Sequence, residues 1–230
     1  RASTLPQILL ANAKKYGKDK IAIREKDLGI WQSYSWADYY ENTKKFALGL
    51  ASLGFKRGDR LSVIGDNRPQ LYWAQVAALC LGGIPVPLYQ DAIEKELEYI
   101  IEHSEANFVV AEDQEQVDKV LQIKCELPLL KKIIYWDPKG LHGYDEPLLA
   151  DFEAICEMGV KYGAEHPGLF EEEVAKGKAG DVAMIIYTSG TTGVPKGGIF
   201  TCESLFASNH IWFSLNPMDE NDEWVSFILP

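Results

Sequence analysis

The chain has 230 residues, of which 47% are apolar and 25% are charged. This composition is ordinary for a globular protein and excludes a disordered or collagen-like chain. Its 23 basic and 34 acidic residues give a net charge of −11, which excludes a strongly basic nucleic-acid-binding surface and a polybasic membrane arm. The four cysteines are widely separated and form no CxxC pair, so neither a disulfide framework nor a zinc site is expected.

Helix-like and strand-like patterns alternate along residues 1–136. Helices are predicted where capping residues precede apolar residues at helical spacing, and strands where short apolar runs lie between turn residues. The predicted helices, in chain order, cover residues 4–17, 35–54, 69–81, 94–104 and 114–124. The predicted strands cover residues 21–26, 29–34, 61–65, 84–89, 107–111 and 133–136. This alternation predicts an α/β fold with a largely parallel sheet flanked by helices.

Proline and glycine recur through residues 137–178. We interpret this stretch as a less regular connecting region that crosses the surface, with one helix near residues 150–158. Its acidic run at residues 171–173 is interpreted as a solvated helix start. A metal site is the weaker interpretation, because adjacent positions on a helix point in different directions.

A buried strand is predicted at residues 181–187, and it leads into the segment YTSGTTGVPKG, from Tyr187 to Gly197. Glycines let successive backbone N–H groups face one anion, hydroxyls donate further hydrogen bonds, and Lys196 adds a mobile positive charge. The segment therefore predicts a polyphosphate-binding loop. An ordinary turn rarely combines four hydroxyls and a lysine within nine residues. A Walker A loop is disfavoured because Gly197, rather than Ser or Thr, follows the lysine.

The segment YTSGTTGVPKG resembles the signature phosphate loop of the adenylate-forming superfamily, which includes acyl-CoA synthetases, luciferases and nonribosomal peptide adenylation domains. Upstream, the phrases GDNRPQLYWA and PVPLY resemble the long-chain fatty acyl-CoA synthetase branch in particular. The resemblance implies that residues 1–230 are the N-terminal portion of the large AMP-binding (adenylation) domain. It also implies that the rest of this domain and the mobile C-terminal domain are absent.

The resemblance implies an ATP-dependent ligase that acts in two steps. A carboxylate attacks the α-phosphate of ATP, with Mg²⁺ present, to give an acyl-adenylate and pyrophosphate. The thiol of coenzyme A then displaces AMP to give acyl-CoA. By the same resemblance, Lys196 is the catalytic residue and Thr188 lies near the magnesium. The residues that match the family's phosphate-binding positions are Thr188, Ser189, Gly190, Thr191, Thr192, Gly193 and Lys196.

A fatty acid is the expected substrate, and two alternatives stay open. One is another adenylate-forming ligase, such as an aryl-acid ligase, and the other is a non-catalytic nucleotide-binding module. The 230 residues alone are expected to be inactive, because the family's adenine-binding motif, ribose-binding aspartate and C-terminal catalytic lysine have no counterpart in them. The expected location is the cytoplasm, with peripheral membrane contact and a homo-oligomer left open.

The segment after the loop departs from the family pattern at two positions. Gly198 replaces a β-branched residue, and Cys202 replaces a histidine. We interpret Cys202 as a packed cysteine at a helix start rather than a nucleophile, because the family mechanism needs no protein thiolate. The histidines, including His103, are interpreted as surface or packing residues. Phe206, Trp212 and Phe213 follow on a predicted helix, where core packing is favoured over an acyl pocket.

Overall fold

The computed structural model describes residues 2–189 and 193–226, with Ser189 described by its backbone alone. The helices are α1 (Leu5–Tyr16), α2 (Trp36–Ser52), α3 (Pro69–Cys80), α4 (Glu94–His103), α5 (Gln114–Ile123), α6 (Phe152–Glu165), α7 (Leu169–Ala175) and α8 (Cys202–Leu215). The strands are β1 (Ile21–Asp27), β2 (Ile30–Ser35), β3 (Arg60–Ile64), β4 (Ile84–Leu88), β5 (Ala106–Ala111), β6 (Lys132–Tyr135), β7 (Leu149–Asp151), β8 (Val182–Ser189) and β9 (Pro195–Thr201). A short 3-10 turn, Lys124–Glu126, follows α5.

Five strands form a parallel sheet in the order β4-β3-β5-β6-β7. All six residues of β5 are buried, as expected for a parallel strand with helices on both faces of the sheet. The pairs β1–β2 and β8–β9 are separate antiparallel hairpins. The predicted α/β fold, a largely parallel sheet flanked by helices, is therefore confirmed.

Two hydrophobic clusters lie on opposite faces of the sheet. The first packs under α2, α3 and α6 and includes Phe46 and Phe152, whose rings stack with centroids 4.1 Å apart. The second packs under α4 and α5. Along β5, Phe108 belongs to the first cluster and Val109 to the second, as the alternation of side chains along a strand requires. The second cluster also contains Tyr187, so it joins hairpin β8–β9 to the α4 side of the sheet.

Helices α1 and α2 begin at the residues that the sequence predicts. The hydroxyl of Thr4 accepts the backbone N–H of Gln7 at the start of α1. At the start of α2, Ser35 and Asp38 form a capping box. Hydrogen bonds from Ser35 hold the pKa of the Asp38 carboxyl below its usual range. Caps of this kind each stabilise a helix by about 1 kcal/mol, so these helix starts are encoded locally.

The segment 137–178 is more regular than the sequence predicts, because it contains β7, α6 and α7. Its glycines serve helix packing as well as turns. A Cβ on Gly159 of α6 would lie 1.8 Å from the carbonyl oxygen of Lys45, and a Cβ on Gly49 of α2 would lie 2.2 Å from that of Ile155. The two helices therefore cross closely at these glycines. The acidic run does begin a helix, where Glu171 accepts hydrogen bonds from neighbouring groups on α2.

Candidate functional site

The described residues of the predicted phosphate loop lie at one end of the β8–β9 hairpin. Thr188 pairs with Lys196, and Tyr187 pairs with Gly197. The sequence predicts that the strand ends at residue 187 and that a loop follows, and this boundary is wrong. Strand β8 continues through Ser189, and β9 already begins at Pro195. Cross-strand hydrogen bonds satisfy the backbone polar groups that a longer loop would leave open, so the pairing extends further than composition suggests.

The structure describes four of the seven residues predicted for phosphate binding, one of them by its backbone alone. Thr188 and Lys196 are exposed and face each other across the hairpin. Gly193 has a φ of 81°, in the left-handed region that favours glycine. Ser189 is described by its backbone alone. The remaining predicted residues lie outside the described part of the chain: Gly190, Thr191 and Thr192.

The ammonium group of Lys196 is the main charged group of the hairpin. Within residues 2–189 and 193–226, no described side chain forms an ion pair or hydrogen bond with it. A lysine carries a compact charge on a flexible stem with three rotatable donors. The side chain is therefore available to an anion that approaches the turn.

Two glycines of the hairpin are needed for different physical reasons. Among the described residues, a Cβ on Gly193 would meet no atom within 4 Å, and the positive φ of Gly193 favours glycine there. A Cβ on Gly197 would lie 3.1 Å from both Cγ2 of Ile185 and Cζ of Tyr187. Gly197 therefore makes room for the ring of Tyr187 at the base of the turn.

One contact at the base of the hairpin was not predicted from the sequence. The hydroxyl of Tyr187 lies 2.7 Å from Nδ1 of His103, at the end of α4. Burial of the Tyr187 ring raises the pKa of its phenol. The sequence interpretation placed His103 at the surface or in packing, and the residue is indeed exposed. The two residues are 84 positions apart, so no spacing rule would have paired them.

Cys202 and the aromatic residues of α8 have opposite environments. Cys202 is buried at the first position of α8, and burial raises the pKa of its thiol, so its interpretation as a packed helix-start residue is confirmed. Trp212 and Phe213 are 51% and 50% exposed. The prediction that they pack in a core is therefore wrong for these residues. In α8 only the first residue, Cys202, is buried, so the apolar character of the later turns does not lead to burial.

The described part of the chain has neither a metal-binding cluster nor a membrane-spanning helix. Residues 2–189 and 193–226 contain no group of three or more His, Cys, Asp or Glu side chains placed to hold a metal ion. In the same part of the chain, no helix has both the length and the apolar character needed to cross a bilayer. The predicted metal ligand, Thr188, is among the described residues. Its side chain offers a single hydroxyl oxygen.

Comparison with known proteins gives the same family at the level of sequence. The model of the AMP-binding enzyme family matches residues 9–230. The long-chain-fatty-acid–CoA ligase ACSBG2 of Xenopus laevis is 30% identical over 202 residues, which cover 88% of this chain and 26% of that protein. The 4-hydroxybutyrate–CoA ligase 2 of Metallosphaera sedula is 32% identical over 192 residues, which cover 84% of this chain and 33% of that protein.

A solved structure supports the fold. The anthranilate CoA ligase AuaEII, solved in complex with anthranoyl-AMP, aligns with a TM-score of 0.76 and 21% identity. The alignment covers 91% of this chain and 36% of that one. The chain thus spans about a quarter to a third of the length of the curated relatives it matches.

Proposed function

The chain belongs to the AMP-binding enzyme family, and on that basis we propose that it forms part of an acid–CoA ligase. This ligase activates a carboxylic acid with ATP and then transfers the acyl group to coenzyme A. The observation that carries the proposal is hairpin β8–β9. It places Thr188 opposite Lys196 on the two strands, and Gly193, which precedes β9, has a positive φ.

In the first step, an oxygen of the acid attacks the α-phosphorus of ATP. The bond from that phosphorus to the bridging oxygen of the β-phosphate breaks, so negative charge grows on the departing pyrophosphate. The exposed ammonium of Lys196 supplies a compensating charge at the turn. Donors placed where charge develops contribute a factor of roughly 10²–10³ in rate each. Lys196 is thus the residue to which we assign most of the electrostatic stabilisation.

Magnesium accompanies ATP in this proposal, and Thr188 is the residue that would hold it. The fit rests on the donor type, because Thr188 offers an exposed hydroxyl oxygen beside Lys196. Protein-bound Mg²⁺ commonly keeps several waters and takes one or two protein ligands together with substrate phosphates. When bound, the ion would neutralise charge on the phosphate oxygens.

In the second step, the sulfur of coenzyme A attacks the acyl carbonyl carbon and AMP leaves. The chain's own buried thiols are poor substitutes for this nucleophile. Cys202 is buried and its pKa is raised by desolvation, which disfavours the reactive thiolate. We therefore assign the acyl acceptor to coenzyme A and a packing role to Cys202.

The proposed acid is a long-chain fatty acid, by similarity to the Xenopus relative named for that substrate. A short hydroxy acid is the second candidate, because the Metallosphaera relative, similar to a comparable degree, is named for 4-hydroxybutyrate. ATP–pyrophosphate exchange by the full-length protein, measured with palmitate, 4-hydroxybutyrate and anthranilate, separates the acid classes. We expect exchange to be fastest with palmitate. Binding of ATP without exchange for any acid would instead favour a non-catalytic nucleotide-binding module.

A further inference from the structure

We infer that His103 is a positioning residue for hairpin β8–β9, acting through the hydroxyl of Tyr187. The inference rests on the proposed function and adds a residue to its machinery. His103 does not belong to the hairpin, and its role follows from one hydrogen bond and the packing around it. The hydrogen bond joins Nδ1 of His103 to the Tyr187 hydroxyl over 2.7 Å.

Tyr187 is held from several sides. The residue is 6% exposed and belongs to the hydrophobic cluster under α4 and α5. The imidazole of His103 meets it edge-on, with centroids 5.8 Å apart and planes at 88°. Gly197 of the opposite strand lies against the ring, since a Cβ there would approach Cζ of Tyr187 to 3.1 Å. The ring therefore links α4 to both strands at the base of the turn.

His103 ends a helix that is packed against the sheet. It is the last residue of α4, whose Leu97 and Ile101 are buried in the same cluster as Tyr187. Its imidazole stacks on Tyr99, one helical turn earlier, with centroids 5.3 Å apart. The orientation of the imidazole is thus set by the helix before it meets Tyr187.

The contact lies one residue from the proposed chemistry. Thr188 and Lys196 form the next cross-strand pair after Tyr187 and Gly197. The hydrogen bond ties the end of the Tyr187 side chain to α4, so β8 is held beside that helix at the residue before Thr188. Its loss should loosen the position of Thr188 and be seen in the rate of adenylation.

A purely structural role makes a different prediction. It would lower the melting temperature and leave the kinetic constants of the folded enzyme unchanged. A positioning role lowers kcat for pyrophosphate exchange while the melting temperature changes little. One neutral hydrogen bond contributes about 0.5–1.5 kcal/mol, so a loss of roughly 2- to 10-fold in kcat is expected.

The test uses the full-length protein, four single variants and the double variant of His103→Ala with Tyr187→Phe. Tyr187→Phe removes the hydroxyl and keeps the ring, whereas His103→Ala removes the partner. His103→Asn retains a hydrogen-bonding group near Nδ1 and should restore part of the rate. His166→Ala is the matched control, because His166 follows the last residue of α6, a helix on the opposite face of the sheet, and stacks on Tyr162 with centroids 4.0 Å apart.

We expect His103→Ala and Tyr187→Phe to lower kcat to a similar extent, and the double variant to be no worse than either. This non-additivity is the signature of two groups that act through one contact. Unchanged kcat in His103→Ala, or an equal loss in His166→Ala, would overturn the inference. If the wild-type protein shows no exchange with any acid, the proposed function fails instead, so the two failures are distinguishable.

Discussion

The parallel sheet and hairpin β8–β9 differ in how far their side chains are exposed. Strands β3 and β5 are almost entirely buried, and helices cover both faces of their sheet. In β9, by contrast, residues 196–200 are exposed, and Ile199 is 66% exposed. The chemistry that we propose lies on the exposed element, and most of the buried apolar surface lies in the sheet. Stability and activity should therefore respond to different substitutions, with Tyr187 as the link between the two regions.

The largest expected effect is on catalysis by the isolated segment 1–230, compared with the full-length protein. We expect the purified segment 1–230 to form no measurable acyl-CoA, because it matches about a quarter of the length of the Xenopus relative. Exposed Ile199, Trp212 and Phe213 should make it self-associate, since large exposed apolar patches favour association. An acyl-CoA assay and light scattering measure both properties. Turnover by the segment would show that the hairpin and sheet suffice for catalysis.

The next largest difference is expected in the free energy of unfolding, between alanine substitutions of two phenylalanines. Phe46 is fully buried and stacks on Phe152, so Phe46→Ala should lower the free energy of unfolding by about 3–5 kcal/mol. Phe213 of α8 is 50% exposed, and Phe213→Ala should change it by about 0.5 kcal/mol or less. Denaturant unfolding of segment 1–230 with either substitution measures both. Equal losses would show that α8 is packed as tightly as the sheet.

Two glycines have the same backbone conformation, so valine substitutions at both can separate the cost of backbone strain from an effect on ATP binding. Gly193 and Gly29 have φ values of 81° and 84°, and within residues 2–189 and 193–226 a Cβ on either would meet no atom at 4 Å or less. A valine at either position should cost about 1–3 kcal/mol of local strain. We expect Gly193→Val to weaken ATP binding at least several-fold and Gly29→Val to leave it unchanged. Calorimetric titration with ATP compares the two, and equal affinities would remove Gly193 from the phosphate site.

The smallest expected effect concerns the cysteines. Cys125 is exposed, whereas Cys80, Cys156 and Cys202 are buried. Burial raises the pKa of Cys156 to about 12 and raises that of Cys202 as well, so both thiols should resist alkylation. Brief treatment with iodoacetamide should label Cys125 first, as mass spectrometry would show, and leave pyrophosphate exchange unaffected. Rapid labelling of Cys202 with loss of activity would argue for a reactive thiol near the hairpin.

Local signals explain how much of the fold could be predicted from the sequence. Thr4 and Ser35 cap helices through neighbours three residues away, so a short window contains the whole signal. Helix α7 lacks such a signal, because it begins after Gly168 without a side-chain cap. Strand β7 has only three residues, too few to show a pattern. The close crossing of α2 and α6 joins glycines 110 positions apart, Gly49 and Gly159, and only the folded chain reveals it.

In the candidate site, too, local features could be predicted from the sequence and long-range contacts could not. The segment from Tyr187 to Gly197 is contiguous, so its composition alone pointed to phosphate binding. The extent of pairing between β8 and β9 was missed, because hydroxyl and glycine residues are typical of loops as well as hairpin ends. The contact of His103 with Tyr187 was also missed, since it depends on how α4 packs beside the hairpin.

The central claim is that the exposed hairpin carries the adenylation chemistry, and Lys196 tests it most directly. The measurement is the rate of ATP–pyrophosphate exchange by full-length Lys196→Ala, compared with Lys161→Ala, which removes an exposed lysine from α6 on the opposite face of the sheet. We expect Lys196→Ala to slow exchange by roughly 10²–10³-fold at an unchanged melting temperature. Lys161→Ala should match the wild type. Exchange by Lys196→Ala at the wild-type rate would contradict the account.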